Sequence, residues 1–267
     1  MNAILAALRP TARFKARSHD TSKQVHIPLL QSRLQDAPDQ GPTVVLIGDS
    51  MFERMTTTGE SPNSAAASWP SPQMLGDDEY LDKRSVGRLD RVFNAGVGGD
   101  KIQNVAYRLV GAASHPEEED ESQDLPGLLP LLAAFGTVKL WVVHAGTNNL
   151  SPKQGLRAAD CAALETVVRA LLSVNPKGAA ESKVVVTGLF YRVDFPRSLV
   201  DRANEELDQM VKMMLMDNRV GVQRVLFQRP ALGVKVEEHL VDHVHLNLRG
   251  YQLWTEELYP VILGLLS

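Results

Sequence analysis

Five short apolar runs constrain the fold of this chain more than anything else in it. Val44–Ile47, Leu140–Val143 and Val184–Leu189 are continuous rather than alternating, and Arg91–Asn94 and Val225–Phe227 are shorter candidates. A strand that alternates keeps one face in water, whereas a continuous apolar strand is buried on both. Helix-length segments lie between and after them, at Lys101–Gly111, Leu125–Phe135, Gly155–Val174, Pro196–Asn218 and from about Asn247 to Leu266. Strand and helix in alternation imply βαβ crossovers and a mostly parallel α/β sheet covered on both faces. Functional groups in such sheets gather at the carboxyl ends of the strands. With 267 residues, 44% of them hydrophobic, the chain can fill one sizeable core. The domain is expected over residues 42–267, preceded by a partly disordered leader at 1–41.

Charge and cysteine content exclude several classes of function. The 28 basic and 32 acidic residues leave a formal charge of −4, which argues against a general nucleic-acid binder and suits a small or neutral substrate. Cys161 is the sole cysteine, so no intrachain disulfide forms, and its apolar neighbours in Ala158–Leu172 mark a buried thiol. No apolar run approaches the length needed to cross a bilayer, and the protein is expected to be soluble. Met1–Leu8 is apolar and is followed by Arg9, Arg13, Lys15 and Arg17. A secretory signal has the opposite order of charge and apolar stretch, so two readings remain. One is a disordered basic leader on a cytoplasmic protein; the other is a mitochondrial presequence, since the segment is acid-poor up to Asp20.

Four motifs follow strand-like segments or precede the last helix. Val44–Ser50 reads V-V-L-I-G-D-S, Asn94–Asp100 reads N-A-G-V-G-G-D, Ala145–Asn149 reads A-G-T-N-N and Asp242–His245 reads D-H-V-H. Ser50 stands where a strand gives way to a helix, which exposes its hydroxyl at the positive helix end; alternatively Asp49 and Ser50 only cap that helix. His245 shifts the balance, because it can serve as a base for the serine and Asp242 can orient it. The chain order is Ser, Asp, His, yet the Gly-x-Ser-x-Gly elbow is absent around Ser50, so a different serine-hydrolase scaffold is required. Gly96, Gly98 and Gly99 invite a dinucleotide-binding reading that fails at its third glycine, where Ile102 stands; their backbone N–H groups suit an anion better. Asn148 can add a side-chain amide to the same point, or serve only as a turn residue.

Duller or rival readings apply elsewhere. His239, His243 and His245 with Asp242 crowd one segment, and His239 and His243 have a zinc-binding helical spacing, but the segment lacks the Glu of a metalloprotease motif. A metal would also leave Ser50, Gly99 and Asn148 unexplained. Glu117–Glu121 with Asp124 reads as a solvated acidic loop, and Thr56–Pro72 as a surface loop that borders the site. Met210, Met213, Met214 and Met216 read as a core-facing stripe plus a neighbour.

Taken together, Gly48-Asp49-Ser50, Gly98-Gly99-Asp100, Gly146-Thr147-Asn148-Asn149 and Asp242–His245 resemble the four blocks of the SGNH (GDSL-type) hydrolases. The N-x-G-x-G-G-D loop, the pair Arg108-Leu109 and the final His245–Tyr251 look most like the catalytic subunits of intracellular platelet-activating factor acetylhydrolase. The resemblance implies a flavodoxin-like three-layer α/β/α sandwich around a five-stranded parallel sheet. It implies Ser50 as nucleophile, His245 as general base and Asp242 as its orienting partner. The oxyanion hole would be the Ser50 and Gly99 N–H groups and the Asn148 amide. No metal or organic cofactor is implied. The expected substrate is a small ester or lipid ester losing a short acyl group such as acetyl, and a homodimer is compatible with the family. Carbohydrate acetylesterases and lysophospholipases use the same scaffold, and a non-catalytic binding protein would lack one of these residues, none of which is missing.

Overall fold

The computed structural model describes residues 1–57, 91–112, 125–174, 181–217 and 224–267. Strands β1 (Val44–Gly48), β2 (Val92–Gly96), β3 (Leu140–His144), β4 (Lys183–Thr187) and β5 (Val225–Gln228) form one sheet in the order β2-β1-β3-β4-β5. Every neighbouring pair is parallel. All residues of β1, β2 and β3 are buried, as their continuous apolar runs require. Successive side chains alternate between two cores. Val45, Ile47, Trp141 and Val143 face one, and Val44, Leu46, Leu140 and Val142 face the other. At about 1.5–3 kcal/mol for each fully buried aliphatic side chain, these strands anchor the fold.

Helices cover both faces. They are α1 (Asn2–Leu8), α2 (Ala16–Thr21), α3 (Ile27–Asp36), α4 (Ser50–Thr57), α5 (Ile102–Val110), α6 (Leu128–Phe135), α7 (Ala158–Leu172), α8 (Arg197–Met216), α9 (Val236–His239) and α10 (Leu248–Leu266). The first core is closed by α1, α3 and α5 to α8, the second by α4 and α10. The result is the three-layer α/β/α sandwich with a five-stranded parallel sheet that the sequence led us to expect. Local chemistry sets the helix ends: Asn247 caps α10 by accepting the Gly250 N–H at 2.9 Å. The Val184–Leu189 run leaves the sheet early because Asn204 on α8 takes both the N–H of Leu189, at 2.7 Å, and its carbonyl, at 2.9 Å.

The segment 1–41 departs from the expected leader. Its helices pack on the first core through Leu8, Ile27 and Leu30, each at most 4% exposed. The basic residues that suggest a solvated tail find partners instead: Arg17 pairs with Glu53 at 2.9 Å, and Lys15 lies 3.7 Å from the Asp100 carboxylate. Met210 and Met214 face the core while Met213 and Met216 are exposed, and Cys161 is half-buried, its thiol pushed up to about 11 chiefly by burial. The acidic stretch Glu117–Asp124 and the Thr56–Pro72 loop beyond Thr57 lie outside the described residues. No helix among the described residues is long and apolar enough to cross a membrane.

The topology points to one crevice. The chain steps outward from β1 to β2, then returns past β1 to β3, and this reversal opens a cleft at the strand carboxyl ends. Register sets Gly48 level with both Gly96 and His144. Three of the four motif loops therefore leave the sheet side by side.

Candidate active site

Ser50 is the first residue of α4, directly after the end of β1. Asp49 performs the capping expected of the pair: its Oδ1 accepts the Met51 N–H at 3.0 Å and its carbonyl accepts the Glu53 N–H at 3.1 Å. Ser50 itself is left out of the cap, with its hydroxyl turned toward the fourth motif. Gly96 permits this start of α4 to sit close on β2, since a Cβ there would lie 2.3 Å from the Glu53 nitrogen.

The fourth motif folds on itself between α9 and α10. Asp242 Oδ1 accepts the N–H groups of Val244 at 2.9 Å and His245 at 2.8 Å, while its Oδ2 lies 2.7 Å from His245 Nδ1. Burial alone would raise the Asp242 carboxyl, but the His245 and Val244 hydrogen bonds outweigh it and hold the group well below the usual carboxylate range. An ionised carboxylate only accepts, so the imidazole proton sits on Nδ1 and the Nε2 lone pair faces Ser50. His245 Nε2 and Ser50 Oγ are 2.9 Å apart across 195 residues of sequence. Tyr251 on α10 donates to the Met51 carbonyl at 2.9 Å, which ties the histidine's flank to the serine's helix.

The second and third motifs meet beside this chain. Val97–Asp100 is a tight turn closed by the Asp100 N–H on the Val97 carbonyl at 3.1 Å, and Gly99 holds a φ of 74° that a side chain would strain. Asn148 Nδ2 donates to the Asp100 carbonyl at 2.9 Å, joining the two loops and leaving its second amide hydrogen for another acceptor. Asn149 plays a different part. Its side chain accepts the Ile102 N–H at 3.0 Å and donates to Asp160 at 2.8 Å, inside the protein.

Sequence reasoning assigns no part at the site to two further residues. Arg108, fully buried, donates to the Asp100 carboxylate at 2.7 Å and to the carbonyls of Ala95, at 2.7 Å, and Gly48, at 3.0 Å, bolting the turn to the ends of β1 and β2. Arg54 Nη1 lies 3.6 Å from Asp242 Oδ2. Its signal was available, because it stands one helical turn beyond Ser50 on α4.

Beneath Ser50 lies a buried polar bed. His144 Nδ1 pairs with the Thr187 hydroxyl at 2.8 Å and Nε2 with the Thr147 hydroxyl at 3.2 Å; burial pushes this imidazole down to about 3, so it is neutral. Phe52 stacks on Trp254 at 5.3 Å, and both rings pack against His144. Asp49, also buried, is pushed up to about 7, chiefly by loss of solvent. Its Oδ2 completes no hydrogen bond of good geometry, although the nearby Thr147 hydroxyl favours the ionised form. The histidine spacing that suggested zinc is broken: α9 ends at His239, whose Nδ1 accepts the Lys235 N–H at 2.9 Å, while His243 is exposed beyond it.

A flavodoxin-like sandwich with a serine at its first strand–helix junction, facing a carboxylate-bound histidine, is the architecture of a class of ester hydrolases distinct from those built on the Gly-x-Ser-x-Gly elbow. The chain belongs to the GDSL-like lipase/acylhydrolase family, whose profile matches residues 46–253, and it is a carboxylic ester hydrolase. It is 25% identical over 238 residues to platelet-activating factor acetylhydrolase IB subunit alpha1 of Rattus norvegicus, a match spanning 87% of this chain and 80% of that protein. The alpha2 subunit of the same organism is 23% identical over 235 residues, spanning 87% and 81%. Among solved structures, the carbohydrate acetylesterase Est24 of Sinorhizobium meliloti superposes with a TM-score of 0.51 at 14% identity, covering 84% of this chain and 99% of that one. At that identity the likeness speaks for the fold.

Proposed function

We propose that Ser50, His245 and Asp242 are the catalytic triad of a serine esterase that removes a short acyl group, acetyl foremost, from a small or lipid ester. The observation that carries this reading is the unbroken hydrogen-bonded chain Asp242–His245–Ser50, with the histidine lone pair aimed at the hydroxyl. Ser50 Oγ attacks the ester carbonyl carbon while its proton passes to His245 Nε2. The tetrahedral oxyanion is received by the N–H groups of Ser50 and Gly99 and by the Asn148 amide. Collapse breaks the ester C–O bond, and His245 returns the proton to the departing alcohol. Water then gives a proton to His245 and attacks the acyl-serine; as the acyl C–O bond to Ser50 breaks and the acid leaves, His245 returns the proton to Ser50 Oγ. Asp242 stays ionised throughout and steadies the imidazolium. A protonated His245 cannot accept the serine proton, so activity falls on acidification. Similarity to the acetylhydrolase subunits supports the short acyl group and the lipid ester.

The test is hydrolysis of p-nitrophenyl esters from acetyl to octanoyl by wild type and Ser50→Ala, with and without a chelator. Chelator-insensitive activity that is greatest on acetate and drops by about 10⁴-fold or more in the variant is expected. Full activity in Ser50→Ala would overturn the mechanism. Equal rates along the acyl series would remove the short-chain preference and favour a lysophospholipase-like enzyme.

A further inference from the structure

We propose that Lys15 is a positioning residue for the oxyanion hole: its ammonium fixes and polarises the Gly98–Gly99 peptide, whose N–H is to receive the oxyanion. This rests on the mechanism above. One peptide plane carries both groups concerned, the Gly98 carbonyl and the Gly99 N–H. Lys15 Nζ donates to that carbonyl at 2.9 Å. In a trans peptide the carbonyl and the N–H point in opposite directions, so a cation anchored on the oxygen aims the N–H the other way.

The turn makes such anchoring necessary. Asp100 N–H on Val97 O, with Gly99 at a φ of 74°, is the pattern of a type II turn, which differs from type I by a flip of this central peptide. Glycine at both central positions leaves the backbone little preference of its own. A flipped peptide would present a carbonyl where the oxyanion forms. The ammonium selects the unflipped state, and by drawing charge toward the oxygen it makes the N–H a stronger donor.

The surroundings hold Lys15 to this task. Arg13, two residues before it, donates its N–H to the Gln103 carbonyl at 2.9 Å and accepts from Asn104 Nδ2 at 2.9 Å, so the segment is fastened to the start of α5. Ser18 donates to the Asp100 carboxylate that Arg108 also binds. Arg108 and Lys15 together bring two positive charges to the single negative charge of Asp100, so the turn keeps a net positive field. Arg17, paired with Glu53, covers the flank of Gly98, its Cζ 2.7 Å from where a Cβ would lie.

The test compares Lys15→Met with Lys15→Arg. On p-nitrophenyl acetate, Lys15→Met is expected to lower kcat about 10–100-fold while KM stays within about twofold, less than the loss of a donor itself. Binding of a boronic acid that forms a tetrahedral adduct on Ser50 should weaken by the same factor, and Lys15→Arg should recover most of both losses. The Gly99 amide proton should move upfield in Lys15→Met, a readout that needs no turnover. Wild-type kcat and an unmoved Gly99 amide in Lys15→Met would overturn the inference, as would equal losses in the Met and Arg variants. Ser50→Ala tests the underlying mechanism separately: serine-dependent turnover that is indifferent to Lys15 sinks only this inference. Should Lys15→Met fail to fold, Lys15→Gln is judged on the same kcat and amide shift.

Discussion

Two aspartates flank Ser50, and their surroundings are opposite. Asp242 stands in an exposed loop, its side chain 36% accessible, and receives the N–H groups of Val244 and His245 and the imidazole of His245. Asp49 adjoins the serine in sequence, is fully buried and accepts the Met51 N–H on one oxygen. The first is held ionised and the second is pushed up to about 7. Their histidines divide likewise: His245 reaches the serine, whereas His144 is sealed neutral under Phe52 and Trp254. A carboxylate can steady an imidazolium only where local donors keep it charged. Under the proposed mechanism the loop therefore carries the chemistry and the bed the structure, though an aspartate and a histidine occur in both.

Exchanging each aspartate for its neutral isostere should separate the two regions most strongly. Asp242→Asn keeps the shape but invites the wrong imidazole tautomer, and it should lower kcat by about 10⁴-fold. Asp49→Asn retains an oxygen for the Met51 N–H and removes a charge that is only about half present at pH 7, so kcat should stay within about tenfold of wild type. Steady-state rates of the two variants at pH 7 decide it. Comparable losses would mean that the buried bed shares in the chemistry.

Much of this contrast was legible before the fold was known, and the illegible part has physical causes. Ser50, Asp242 and His245 can be picked out as candidates because each sits within a few residues of the backbone feature that positions it, a strand end or a three-residue turn. The sheet was readable from strands apolar on both faces. The packing of residues 1–41 was not, because its helices are short and its basic residues look solvated until Glu53 and Asp100 are brought to them. Arg108 was similarly hidden: its role needs Gly48, Ala95 and Asp100 in one place, and only the fold supplies that. The bed under Ser50 joins strand ends that are distant in sequence, so Asp49 and His144 gave no local sign of being paired with burial rather than with catalysis.

Asn148 and Asn149 sample the two regions one residue apart. Asn148→Ala should cost about 10²–10³ in kcat, as the loss of an oxyanion donor does, with little change in Tm. Asn149→Ala strands the Ile102 N–H and removes the donor to Asp160, so it should cost about 2–3 kcal/mol of stability and leave the kcat of the folded enzyme within a few-fold. Denaturant melts paired with active-site-titrated rates measure both. A stability loss confined to Asn148→Ala would reverse the assignment.

The smallest effect tests the bed by its response to pH. Asp49 in the folded protein keeps its proton up to about 7, whereas in the unfolded chain it ionises near the ordinary aspartate value of 3.8. Between those values the folded state binds one more proton at this site, so the Asp49 contribution to stability declines as pH rises, by about 1.4 kcal/mol per unit. His144 and His26, both pushed down to about 3 from 6.5 by burial, act in the opposite sense: the unfolded chain binds their protons first, and stability grows with pH across that window. The wild-type slope mixes these opposing contributions, but the difference between Asp49→Asn and wild type isolates the aspartate. Urea melts at pH 5 and pH 6 should show the variant gaining about 1.4 kcal/mol on wild type over that one unit. A difference that does not change with pH would place the Asp49 charge in contact with a donor or solvent, and the contrast between the two aspartates would then be one of position alone.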